Sequence, residues 1–138
     1  MATTVGHYLA TRLEQIGLEH YFQVPGDYNL QLLDELLKNE NLQMMSCTNE
    51  LNAAYAAEGY ARANGASACV ITFNVGAFSA LNGVAGAYAE RLPMIFISAG
   101  YNTNDEASGR FLHHTIGTTD YSYPVSYTHL TLPTKRIV

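Results

Sequence analysis

The sequence predicts an α/β protein, a doubly wound parallel sheet with helices on both faces. Segments with apolar residues at helical spacing alternate with short apolar runs, which is the pattern of strands joined by helical crossovers. The runs SACVITF and PMIFIS are apolar without alternation, as strands covered on both faces are. The chain has 138 residues, 48% apolar and 14% charged, enough for one domain with a real core and no need of disulfides or a structural metal.

TTVGHYLATRLEQIG sets Val5, Leu9, Leu13 and Ile16 on one helical face, with Thr3 or Thr4 as cap and Gly17 as terminator. HYFQV is a short strand stopped by Pro25-Gly26, and NLQLLDELLKN resumes the helical period through Leu30, Leu33 and Leu37. LQMMSC is apolar and strand-length, ELNAAYAAEGYARAN is an Ala-rich helix ending at Gly65, and SACVITF is a β-branched strand. AFSALNGVAGAYAERL is a second small-residue helix, and PMIFIS is a buried strand with Pro93 tolerated at its first position. The small residues of these two helices (Ala53, Ala54, Ala56, Ala57, Gly59; Gly83, Ala85, Gly86, Ala87) permit close backbone approach, either to the sheet or to a second subunit.

From Val125 the text changes character, because VSYTHLTLPTKRIV has no acidic residue, no helical period and no continuation of the sheet. It resembles the translation of a transposon-end adapter used in sequencing libraries. The natural domain is therefore expected over residues 1–124, incomplete at its end, with 125–138 a non-native tail. Removing Lys135 and Arg136 with that tail takes the net charge from −5 to −7.

Twelve acidic side chains against seven basic, with no basic run, argue against a nucleic-acid partner. Cys47 and Cys69 are too few for a disulfide framework and form no CxxC pair, which disfavours structural zinc and fits a reducing, cytoplasmic setting. No basic-then-apolar leader opens the chain. The apolar run Pro93 to Ile97 is far short of the ~20 residues that span a bilayer, so neither secretion nor a membrane partner is expected.

In open parallel sheets ligands bind beyond the carboxyl ends of the strands. The residues there are Pro25-Gly26-Asp27, Asn49-Glu50, Asn74-Val75-Gly76, and the stretch with Asn102, Asn104, Asp105, His113 and His114. Asp27, Glu50 and the two histidines would converge at one edge, where mutual coupling shifts titrations. Each also has a plainer reading. Asp27 would cap a helix starting near Asn29, and Glu50 would sit in the favourable first turn of the third helix. A His113-His114 metal pair is disfavoured because adjacent side chains diverge and no third ligand follows at standard spacing. Neither GxGxxG after the first strand nor GxxxxGK[ST] is present, which argues against dinucleotide and P-loop sites.

VPGDYNLQLLDELL, NELNAAYAAEGYARANGA, TFNVGAFSALNGVAGAYAERLP and LHHTIGTTDYSY resemble, in order and spacing over residues 5–123, the N-terminal domain of the thiamine diphosphate-dependent 2-keto acid decarboxylases of the pyruvate decarboxylase type. Consecutive histidines at that place narrow the likeness to the decarboxylase branch rather than acetolactate synthase. The sequence departs from the family pattern at SAGYNTND, in the loop leading to the histidines, and at Gln23. The resemblance implies that Glu50 hydrogen-bonds the N1′ atom of the aminopyrimidine and favours its 4′-imino tautomer, whose nitrogen takes the C2 proton of the thiazolium. It implies that Asp27, His113 and His114 handle protons and orient substrate, and that Pro25, Gly26, Thr72 and Val75 form a wall against the cofactor. Thiamine diphosphate and Mg²⁺ are the implied cofactors, with the diphosphate and metal held by a C-terminal domain that this chain lacks. A second subunit of a homodimer or homotetramer completes the implied site. Pyruvate is the expected 2-keto acid, going to acetaldehyde and CO₂, and the chain alone is expected to be inactive. The alternatives are an indolepyruvate or phenylpyruvate decarboxylase and a catalytically silent interaction domain of the same fold.

Overall fold

The computed structural model describes residues 3–115. The expected tail at 125–138 and the last residues of the expected domain lie outside them. The elements run α1 (Val5–Gln15), β1 (His20–Gln23), α2 (Leu30–Leu36), β2 (Gln43–Ser46), α3 (Glu50–Asn64), β3 (Ser67–Thr72), α4 (Val75–Ser79), α5 (Leu81–Ala89), β4 (Met94–Ala99) and α6 (Thr103–Ser108). All pairings are parallel, in the order β2-β1-β3-β4. The expected parallel α/β sheet is therefore present, with four strands among the described residues.

Alternation along the strands divides the core in two. Phe22, Cys69, Ile71, Met94 and Phe96 face Ala53, Ala54, Ala57, Ala77, Val84 and Ala87 of α3, α4 and α5. Tyr21, Ala68 and Val70 face Ala10 and Leu13 of α1 and Leu33 and Leu36 of α2. Central β3 is buried at all six positions. Edge strand β2 is largely exposed, and among the described residues only β1 flanks it in the sheet.

Thr4 caps α1, accepting from the His7 amide at 3.1 Å. The buried stripe of α1 is Gly6, Ala10 and Leu13, whereas Val5 is 83% and Ile16 51% exposed, so the expected apolar face is rotated. The cause is close approach to α2, where a Cβ at Gly6 would stand 2.5 Å from Glu35 Cβ. On α2 the buried leucines are Leu33 and Leu36, and Leu30 and Leu37 are exposed. Helix α3 has the expected bounds and ends at Gly65 in the left-handed conformation, φ 88°. The second small-residue helix is broken at Ala80 into α4 and α5. Gly83 answers part of the small-residue question, since its Cα lies on Ala54, where an added Cβ would meet Ala54 Cβ at 2.6 Å. These residues seat α5 on α3, although Gly59 meets nothing within 4 Å.

Candidate functional site at the carboxyl edge of the sheet

The sheet reverses its winding between β1 and β3: β1 leads outward to β2 on one side, and β3 leads to β4 on the other. The crevice at such a switch point is where open α/β sheets take ligands. The loops after β1 and β3 meet there. Asn29, fully buried, ties the first loop by accepting from the Gly26 amide at 2.8 Å and donating to the Val24 carbonyl at 2.9 Å. Gly26 then lies directly on Thr72, where a Cβ at position 26 would overlap Oγ1 and stand 3.2 Å from Thr72 Cβ. Thr72 is 4% exposed, and its Oγ1 has no hydrogen-bond partner among the described residues. Thr72 thus spaces the two loops from beneath, while Pro25 is exposed on top.

Asp27 does not cap a helix. Its Oδ2 lies 3.1 Å from Nε2 of His113, both side chains being more than half exposed. Asn29 occupies the cap position of α2. The other side of the His113 ring is held by Tyr28, whose hydroxyl is 3.1 Å from Nδ1 and donates to the His113 carbonyl at 3.1 Å. The two rings stack at 4.8 Å. Phe73 and Tyr101 meet the Tyr28 ring edge-on at 5.0 and 5.3 Å. Burial, and then the nearby Tyr101, Asp27 and Asp105, push the Tyr28 phenol above its ordinary pKa.

His114 turns the other way. Its ring stacks on Phe73 at 5.9 Å, its Nδ1 lies 3.4 Å from the Phe73 carbonyl, and its own carbonyl accepts from Asn74 Nδ2 at 2.6 Å. Both partners have left-handed backbone, φ 50° at Asn74 and 69° at His114. Asn74 is 3% exposed, so the strained turn after β3 is clamped from within.

Glu50 shares no hydrogen bond or ion pair with these three and meets the same turn at Gly76. It is the first residue of α3, and the capping is done by Asn49, whose side chain accepts from the Asn52 amide at 2.9 Å. The Glu50 carboxylate lies over Gly76, where an added Cβ would be 3.1 Å from Oε1. No hydrogen bond or ion pair reaches that carboxylate from the described residues. Its charge, after burial and Cys47, helps hold the buried Cys69 thiol well above its ordinary pKa. Val75, between Glu50 and the histidines along the turn, is 56% exposed.

The site thus has two lobes on one turn, residues 73–76. One is an acceptor carboxylate with free lone pairs, and the other is an aromatic-walled pair of imidazoles with a carboxylate beside one of them. Such a set can orient a heteroaromatic ring and exchange protons with a substrate near neutral pH. Among the described residues no group of three or more His, Cys, Asp or Glu is placed to hold a metal ion. Sequence reasoning placed Asn74 beyond a strand end but missed Tyr28, Asn29 and Tyr101 as site residues. The adjacency of Tyr28 to Asp27 was the available signal.

The sequence model of the thiamine pyrophosphate enzyme N-terminal TPP binding domain matches residues 3–122. The chain is 63% identical over 121 residues to a "probable pyruvate decarboxylase" of Schizosaccharomyces pombe, covering 88% of this chain and 21% of that protein. It is 59% identical over 120 residues to pyruvate decarboxylase of Neurospora crassa, covering 87% and 21%. With pyruvate decarboxylase 2 of Arabidopsis thaliana the identity is 56% over 119 residues, covering 86% and 20%. The chain spans about a fifth of the length of these curated relatives. A match over most of its residues, on a parallel sheet with a two-lobed site at its switch point, means that the chain belongs to the thiamine pyrophosphate enzymes, as their N-terminal TPP binding domain.

Proposed function

We propose that this domain grips the aminopyrimidine of thiamine diphosphate in a non-oxidative 2-keto acid decarboxylase that converts pyruvate to acetaldehyde and CO₂. The observation that carries the reading is the Glu50 carboxylate, fixed at the start of a 15-residue helix over the bare backbone of Gly76 and left with unused acceptor capacity. A ring N–H brought to it would find a charged acceptor, and such hydrogen bonds are roughly twice as strong as neutral ones. The residues therefore fit the group.

Glu50 holds a proton at N1′, and the wall of Pro25, Gly26, Val75 and, beneath them, Thr72 sets how closely the ring approaches. When bound, the cofactor supplies an electron sink for the electrons released as CO₂ departs. Asp27 and His113 form one proton-handling pair, and His114, oriented through Phe73 and Asn74, lends a second imidazole for orienting the keto acid. The diphosphate and Mg²⁺ are assigned to parts of a longer protein outside this sequence, and a second copy of that protein completes the site. A cytoplasmic location accords with two free cysteines, and no helix of the described residues is long and apolar enough to cross a membrane. The domain reading ends at residue 124, which accords with a family match that stops at 122.

Full-length protein incubated with thiamine diphosphate, Mg²⁺ and a panel of pyruvate, phenylpyruvate and indolepyruvate tests this. Cofactor binding with aldehyde formed fastest from pyruvate is expected. Faster turnover of the aromatic keto acids would reassign the substrate, and cofactor binding without turnover of any keto acid would leave a silent domain.

A further inference from the structure

The contacts of His113 are asymmetric. Its Nε2 meets Asp27 at 3.1 Å in a largely exposed pair, which water competes for. Its Nδ1 meets a single phenol whose oxygen also lies 3.1 Å from the carbonyl of the same residue. A phenol oxygen has one proton to give and lone pairs to receive with, whereas an imidazole nitrogen is acceptor or donor according to charge. A ring that gains a proton at Nδ1 therefore reverses what it asks of its neighbour.

We propose that Tyr28 is a positioning residue whose hydroxyl serves His113 in both charge states. With the ring neutral and Nε2–H directed at Asp27, the hydroxyl donates to Nδ1. With the ring protonated, Nδ1–H donates to the phenol oxygen, and the phenol proton turns to the His113 carbonyl. No bond is broken in the phenol, which only rotates its proton between two acceptors. The ring gains and loses charge without losing a partner or its orientation.

Three features of the site suit this role. The Tyr28 ring is fixed by Phe73 and Tyr101 on its edges and by the stacked His113, so the oxygen stays in place while its proton turns. The His113 carbonyl is in reach of a second hydroxyl, that of Tyr101, at 3.4 Å, and a carbonyl oxygen has lone pairs for two donors. The phenol itself stays protonated where histidine titrates, since burial and its acidic neighbours push its pKa up. Among the described residues, the groups facing His113 are Asp27, Tyr28, Tyr101 and His114, whose ring lies edge-on at 5.2 Å, with the charge of Asp105 also felt at Tyr28. Only Tyr28 offers both a donor and an acceptor to Nδ1 among these contacts.

The charged arrangement gains more from the phenol than the neutral one, because charge-assisted hydrogen bonds are about twice as strong. Tyr28→Phe keeps the ring stack and removes the oxygen, so the pKa of His113 is expected to fall by about 0.5 to 1 pH unit. The measurement is the titration of the histidine Cε1 resonances in ¹³C-labelled full-length protein, with His113 assigned through a His113→Asn variant. That proton transfer by His113 matters to turnover rests on the function proposed above. If that function holds, the limb of the kcat/KM pH profile that reports His113 moves down with the resonance. The two claims fail separately. A full-length protein that never turns over a keto acid removes the function, while the His113 titration still reads the phenol. A His113 pKa unchanged to within about 0.2 units in Tyr28→Phe overturns the inference, whatever the activity. Should the phenylalanine variant fold poorly, 3-fluorotyrosine at position 28 keeps ring and hydroxyl while weakening the oxygen as an acceptor. A smaller downward shift is then expected, and no shift overturns the proposal.

Discussion

At the level of single residues, the site is defined by which polar atoms are tied and which are left over. Asn29 shows the tied case, with its amide oxygen and nitrogen both engaged in the loop after β1, where Gly26 packs on Thr72 of β3. Gly26→Ala drives a methyl into Thr72 and is expected to cost about 1–3 kcal/mol, while Thr72→Ala in the same chain recovers part of it. A double-mutant cycle by chemical denaturation measures the coupling, which is expected to exceed about 0.5 kcal/mol. Tyr21 shows the leftover case, a fully buried hydroxyl with no partner among the described residues. Burial pushes its pKa up to about 12, from an ordinary 10.0. A raised pKa in the folded state means that the unfolded chain releases its proton first. The stability contribution of Tyr21 is therefore complete below pH ~10 and declines as pH rises toward ~12. Tyr21→Phe should remove that part of the alkaline decline and leave stability near neutral pH equal or slightly higher, which melting curves at pH 7 and 11 would check.

Among the elements, glycines separate crowded from open helix faces. Gly83→Ala meets Ala54 at both Cβ and backbone and is expected to destabilise by about 1–3 kcal/mol through separation of α5 from α3. Gly59→Ala lies inside α3 with nothing within 4 Å and should stabilise by about 0.5–1 kcal/mol, since alanine restricts the unfolded chain more. Melting temperatures moving in opposite directions would support this packing. The same contrast explains what the sequence made legible. Helix α3 could be read to its end because Asn49, an alanine-rich body and Gly65 are all local signals. The rotation of α1 could not, because it depends on the Gly6–Glu35 approach between residues far apart in sequence. Helix α6 escaped because its six residues bury no side chain and so leave no apolar period. The break at Ala80 carries no Gly or Pro to announce it. At the site, Asp27, Glu50, His113 and His114 were legible as chemically capable residues beyond strand ends. Their division into two lobes was not, because that depends on the strained Asn74 turn.

For the whole molecule, a chain spanning about a fifth of its relatives carries one wall of the proposed site. The 138-residue chain alone is expected to release no CO₂ from pyruvate and to self-associate, with Tyr55, Val75 and Tyr88 among its exposed apolar side chains. A coupled assay with light scattering checks both. An independent genomic read is expected to leave the coding frame of residues 125–138 and continue into further domains, whereas the same fourteen residues in that read would make the tail native. The central claim, that Glu50 activates the cofactor, is tested in the full-length protein. In full-length protein, Glu50→Gln keeps the shape and a hydrogen-bonding partner for N1′ but removes the charge that holds its proton. The decisive measurement is hydrogen–deuterium exchange at C2 of bound thiamine diphosphate. The account predicts exchange slowed by about 10²–10⁴-fold with cofactor still bound, the range for general acid–base groups. Unchanged exchange together with a lowered melting temperature would contradict it, leaving Glu50 as no more than a favourable charge at the start of α3.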